Sequence, residues 1–228
     1  MPFPVRTLDF FVDALRANTP FTVSRWGDGE WNSVLGKTHG KNCDGHRYFE
    51  KMGDDLRAVL LDKPAYILGI QRHALRIFKG RVEDWLATHG LTHLDWIDAD
   101  VFHEASEKGE LVELVKEMRQ RPVMLVGPPH LEQLQHYLGA HLFVPVAPLN
   151  SYLSLDQIHQ TVTDKLAAMP AGTVVSISMG MPSKLLVHRL HARWAAQHTI
   201  IDFGSVWDVY AGVVSRKYMH RMTNPVLT

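Results

Sequence analysis

A single cysteine, Cys43, stands in 228 residues, which excludes an internal disulfide framework and points to a reducing compartment. With no second thiol, cysteine-based zinc patterns are excluded as well. No apolar run approaches the roughly 20 residues that a membrane-spanning helix needs. The opening MPFPVRTLDFF also lacks a basic start followed by a long apolar stretch. A cytoplasmic, soluble protein with no membrane partner is expected. Excess charge is missing too: 24 Lys and Arg balance 24 Asp and Glu, whereas a protein gripping long nucleic acid by its phosphates usually carries a basic surplus. That weighs against such a partner without removing a local basic groove. No repeat, low-complexity tract or Gly/Ser linker interrupts the chain, so residues 1–228 read as one domain.

Apolar strand candidates alternate with amphipathic helix candidates. Thr7 is placed to cap a helix whose apolar face is Leu8, Phe11, Val12 and Leu15. Strands are expected at residues 21–26, 65–70, 94–99, 122–127, 141–147, 173–178 and 198–204. Helices are expected from Trp31 to about Gly36, at 81–89, around Leu111–Met118, over the PPHLEQLQHYL segment, and after Ser154, which has capping-box spacing to Gln157. A last helix is expected from Lys184 to Ala196. This alternation predicts an α/β fold with a mostly parallel sheet and helices on both faces. In such folds ligands gather at the carboxyl ends of strands. Three polar clusters fall at those ends: GDGE after residue 26, GPPH after 126 and SMGMPS after 177.

In GDGE, Asp28 and Glu30 stand two apart between Gly27 and Gly29. In an extended loop that spacing turns both carboxylates to one side, and the glycines let backbone approach a ligand. Two convergent carboxylates suit Mg²⁺ or Mn²⁺, which accept oxygen ligands and keep positions for phosphate oxygens. Such a cation would offset charge on a diphosphate leaving group, and Arg25 could fork onto the same phosphates. D-G pairs are also common turn formers, but a merely solvated turn sits oddly between Trp26 and Trp31.

SMGMPSKLL is a strand-to-helix turn in which backbone donors near Gly180, with Ser183 and Lys184, could take an anion. A Walker A order is absent, and a purely structural turn fits equally. GPPH lacks donors at Pro128 and Pro129, leaving His130 to line a cleft. In DFGSVWD either Asp202 or Asp208 could act as a base or bind sugar hydroxyls. Trp207 and Tyr210 could cover a sugar ring, or Trp207 could be core. The loop NCDGH offers Asn42, Asp44 and His46, and the SRKYMHR segment could meet phosphates. His188 and His191 share a helix face but lack the neighbours a zinc site needs.

RWGDGEW at 25–31 resembles the R-[FYW]-G-D-G-E motif of the GT-D type glycosyltransferases, a group once catalogued as a domain of unknown function. SISMGMPSKLLVHRL and IIDFGSVWDVY resemble two later segments of the same group. The resemblance implies a Rossmann-like fold and a D-x-E pair, here Asp28 and Glu30, that holds Mn²⁺ and a UDP-sugar. Arg25 would match the preceding arginine, and Gly27, Gly29, Gly180, Ser183 and Lys184 would line the donor site. Asn42, Asp44, His46, Ser205 and Trp207 would contact donor or acceptor sugar. Some members carry a histidine after the D-x-G glycine where this chain has Ser205, so Asp208 becomes the expected base. Several segments look more like members from bacterial and phage genomes. The expected activity is transfer of a hexose or pentose from a nucleotide-sugar to an acceptor hydroxyl, on a glycan or on a hydroxylated base of phage DNA. A metal-dependent phosphohydrolase and a nucleotide-binding module without turnover are the rivals.

Overall fold

A computed structural model describes residues 6–222. Helix α1 (Leu8–Arg16) leads into strand β1 (Thr22–Trp26), then α2 (Asp28–Val34), α3 (Glu50–Leu61) and β2 (Ile67–Ile70). Helices α4 (Arg72–Phe78) and α5 (Arg81–Thr88) precede β3 (Trp96–Asp98), and α6 (Val101–Lys108) and α7 (Val112–Arg119) precede β4 (Val123–Gly127). A 3₁₀ turn at Pro129–Leu134 runs into the short α8 (Gln135–Leu138) and β5 (Ala140–Pro145). The chain closes with α9 (Leu155–Ala167), β6 (Val174–Ile177), α10 (Ser183–Trp194) and β7 (Thr199–Asp202).

The strands form one sheet in the order β3-β2-β1-β7-β6-β4-β5, and every pairing is parallel. Val, Ile and Leu dominate the inner strands because both faces of a parallel sheet are covered. Successive side chains go to opposite layers. Val123 and Leu125 pack with Phe11, Phe102 and Met118 on one face, while Met124 and Val126 pack with Leu155, Leu166 and Leu186 on the other. Every residue of β1, β2, β4, β6 and β7 is buried.

The expected strands all appear, six of them trimmed by a residue or more, while β5 starts one residue early at Ala140 and ends at Pro145. Three helices, α3, α4 and α6, were not anticipated. Gly53 in α3 sits where a Cβ would come 2.8 Å from the carbonyl oxygen of Ser33, so close helix packing and not helix propensity fixes that residue. The two expected caps do not form: neither Thr7 nor Ser154 bonds its helix start, and the Ser154 hydroxyl donates to Ser151 O instead. The PPHLEQLQHYL helix begins as a 3₁₀ turn behind its prolines.

GDGE departs furthest from its expected conformation. Asp28 and Glu30 belong to the first turn of α2, not to an extended loop. Two residues on a helix subtend about 200°, so the two carboxylates leave the backbone on different sides.

Candidate active site

The carboxyl ends of the strands open into one cleft of about 420 Å³. Six strand ends supply its wall: Gly27 and Asp28 after β1, Gln71 after β2, His130 after β4, Pro148 after β5, Gly180 after β6 and Ser205 after β7. The 42–46 loop and the segment around Arg216 close the rim.

Its floor is a buried ionic strut. Lys184 Nζ lies 2.7 Å from Glu30 Oε1 and 2.9 Å from Asp202 Oδ2, with both acids and the lysine almost wholly buried. Burial opposes the ammonium charge, but Asp202 and Glu30 outweigh it and hold the Lys184 pKa above its ordinary value. Glu30 Oε2 accepts the Gly27 N–H at 2.9 Å, and Asp202 accepts the N–H groups of Arg25 and Gly204. The strut thereby ties together the ends of β1 and β7 and the start of α10. Lys184 and Glu30 border the cleft, where each is held by the other instead of standing open to an anion or a cation.

Arg25 is likewise committed. Its Nε donates to Ala99 O at 3.0 Å, one Nη to Phe203 O at 2.7 Å, and the other meets His103 Nδ1. It borders the cleft as a brace between β1, α6 and β7, not as a fork open to phosphate. His103 accepts from it, and full burial followed by the charge of Arg25 keeps that imidazole well below its usual pKa.

Ser183 does not reach the cleft. It is fully buried, and its N–H and hydroxyl both return to the Gly180 carbonyl. Trp207 is also fully buried, with Nε1 donating to Ser176 Oγ at 2.9 Å, and so belongs to the core. Tyr210 packs beside it and bonds Ser106. Neither ring offers a face to a sugar. The glycines are tight for packing reasons: a Cβ on Gly27 would lie 2.4 Å from the Gln71 amide oxygen, and one on Gly29 would press on Met181.

Other expected residues do converge. Asn42 Oδ1 accepts the N–H groups of Asp44 and His46, which shapes the rim loop. His46 Nδ1 accepts the Asn150 N–H at 3.2 Å, so Nε2 carries the hydrogen and acts as a donor. Burial lowers the His46 pKa and keeps the ring neutral. The ring lies against Gly180, whose φ of +68° and lack of a Cβ make room for it. Asp44 takes a bidentate grip from Arg216, with Nη2 at 2.8 Å from Oδ2. Asp208 Oδ1 lies 2.8 Å from His130 Nε2, and its Oδ2 accepts from Ser215 Oγ at 2.5 Å.

Asp28 differs from all of these. It is half-buried, lines the cleft, and among the described residues has no hydrogen bond or ion pair. The two-carboxylate clamp expected for Mn²⁺ or Mg²⁺ is not formed in this arrangement: Asp28 faces the cleft alone, while Glu30 is held by Lys184 and the Gly27 N–H. No cluster of three or more His, Cys, Asp or Glu side chains suited to a metal occurs among the described residues.

Residues the sequence did not single out include Gln71, His103, Met179 and Met181. Arg216 lay within the basic segment flagged for phosphates, though nothing linked it to Asp44.

No family model matches the sequence, and no curated protein does. Solved structures do share the architecture. One, described as the highly conserved domain of unknown function 1792 with a distinct glycosyltransferase fold, aligns with a TM-score of 0.66. It covers 91% of this chain and 80% of its own at 14% identity. A glycosyltransferase of the same domain type from Streptococcus sanguinis aligns with a TM-score of 0.66. That match covers 94% of this chain and 87% of the other at 16% identity. The chain therefore has a glycosyltransferase fold. More narrowly, it is the fold of the domain-of-unknown-function-1792 type, as the RWGDGE resemblance implied. Among the described residues no helix is long and apolar enough to cross a membrane.

Proposed function

We propose that this protein is a glycosyltransferase whose cleft binds a nucleoside diphosphate sugar, with UDP as the expected carrier, and passes the sugar to an acceptor hydroxyl. One observation carries the reading. In a chain with a glycosyltransferase fold, the RWGDGE segment lies at the end of β1 and puts the unpartnered Asp28 on the cleft wall.

The chemistry follows from what this chain presents. A diphosphate needs compensating donors, and the cleft has the neutral His46 Nε2–H and the Arg216 guanidinium. Arg216 is held by Asp44 when the cleft is free, so the ligand and Asp44 would compete for it. The strut beneath fixes the strand ends, which supplies preorganisation, and rigid positioning is a large share of catalysis in group transfer. Asp28 is the carboxylate left to meet a sugar hydroxyl or a cation that arrives with the diphosphate.

The test is calorimetric titration of UDP into the wild-type protein and Asp28→Asn, with and without Mn²⁺. Micromolar binding by the wild type, weakened about tenfold or more in the variant, supports the donor site. Binding that needs Mn²⁺ would assign Asp28 to the cation, and UDP binding that the variant keeps while UDP-glucose binding weakens would assign Asp28 to the sugar. No UDP binding under either condition removes the UDP reading.

A further inference from the structure

We propose that His130, oriented by Asp208, is the general base that takes the acceptor's proton; this rests on the glycosyl-transfer reading above. The expected base, Asp208, is poorly placed for that task. Both of its oxygens already accept hydrogen bonds, Oδ1 from His130 and Oδ2 from Ser215, and its side chain is only 12% exposed. The His130 side chain is 29% exposed and forms part of the cleft wall.

The tautomer follows from the partner. A carboxylate oxygen accepts, so His130 Nε2 carries the hydrogen and Nδ1 keeps its lone pair. His46, on the same cleft, is locked the other way, with Nδ1 accepting from Asn150 and Nε2 donating. One histidine is thus set to take a proton and the other to give a hydrogen bond.

The mounting of His130 is rigid. It follows Pro128 and Pro129 at the end of β4, and the 3₁₀ turn is pinned by Gln133 Nε2, which donates to both His130 O and Ala211 O at 2.9 Å. Beneath it, Leu131 packs so close to Gly127 that a Cβ there would lie 2.7 Å away. Asp208 comes from the segment after β7, so the dyad joins two strand ends across the cleft.

In the step itself the acceptor O–H bond breaks and its proton passes to His130 Nδ1. The acceptor oxygen bonds the anomeric carbon, whose bond to the diphosphate oxygen breaks, and the nucleoside diphosphate leaves with that electron pair. Asp208 stabilises the imidazolium, which returns its proton to solvent. His130 is the catalytic residue here and Asp208 a positioning residue.

The experiment measures UDP release from UDP-glucose, UDP-galactose and UDP-N-acetylglucosamine by the intact chain, with water or a glycan mixture as acceptor. Wild type is compared with His130→Ala, His130→Gln and Asp208→Asn, and UDP affinity is measured for each. The dyad predicts a kcat loss of about 10²–10⁴ for both His130 variants, UDP binding within about threefold of wild type, and partial recovery of His130→Ala by added imidazole. Asp208→Asn should lose kcat by about tenfold or more, with KM nearly unchanged, since an amide no longer fixes the tautomer. His130→Gln, which can keep the Asp208 hydrogen bond, controls for folding. Turnover by His130→Ala near the wild-type rate would overturn the dyad alone. So would a loss matched by lost UDP binding with no imidazole rescue. No UDP release by wild type from any donor would overturn the glycosyl-transfer reading and the dyad with it.

Discussion

The floor of the cleft and its rim are both built from charged side chains, yet they hold those charges in opposite ways. On the floor, Lys184, Glu30 and Asp202 are almost completely out of water and satisfy one another. At the rim, the Asp44–Arg216 pair is a quarter to a third exposed and joins a loop to a segment near the end of the chain. Removing one member of a buried group strands the others without solvent, whereas a solvated pair can trade its partner for water or ligand. The floor is therefore suited to fixing geometry, and the rim to exchanging partners when a charged ligand enters.

The largest expected effect is on the floor. Lys184→Met leaves two buried carboxylates unpaired and should cost about 3–5 kcal/mol. In a chain of this size that lowers the thermal midpoint by on the order of 10 °C, read by scanning calorimetry. A drop as small as that of a rim variant would erase the contrast. Next is Gly69→Ala in β2, where the new Cβ would stand 2.8 Å from that of Ala99. Overpacking there should cost about 1–3 kcal/mol, measured by urea unfolding.

The pH response should also separate the parts. Because its pKa is raised, Lys184 contributes fully at neutral pH, and that contribution fades only above the ordinary lysine value. Six histidines, at 46, 103, 159, 188, 191 and 198, are lowered, chiefly by burial. Below about pH 6.5 the unfolded chain binds protons that the folded chain refuses. Stability should thus hold from pH 7 to 9 and decline as pH falls from 6.5, read from denaturant midpoints. The smallest stability effect belongs to Asp44→Asn, within about 1 kcal/mol of wild type. The same change should tighten UDP binding by releasing Arg216, while Arg216→Gln should weaken it.

The fold was legible because its inner strands are short, continuous apolar runs that need two covered faces, with glycines, prolines and polar turns marking their ends. What escaped were α3, α4 and α6; inside α3 stands Gly53, a poor helix former kept by its close packing against the Ser33 carbonyl. The cleft was legible in outline: GDGE, the Gly180 turn, the 42–46 loop and Asp208 do meet. Their partners were not. Nothing local tells that Glu30 will turn inward to a lysine 154 positions later, or that Trp207, so suited to a sugar, is sealed in the core. A D-x-E reading treats spacing as geometry, and once the segment is a helix that geometry changes. His130 was visible only as a lone residue behind two prolines, because Asp208, which gives it direction, arrives 78 residues on.

The most direct measurement of the central claim is product analysis by mass spectrometry after incubating the protein with UDP-sugars and a panel of hydroxyl acceptors, including glycans and hydroxymethylated duplex DNA. The account predicts UDP release together with an acceptor heavier by one sugar residue. Intact donors across the panel, or release of inorganic phosphate without any sugar transfer, would contradict it.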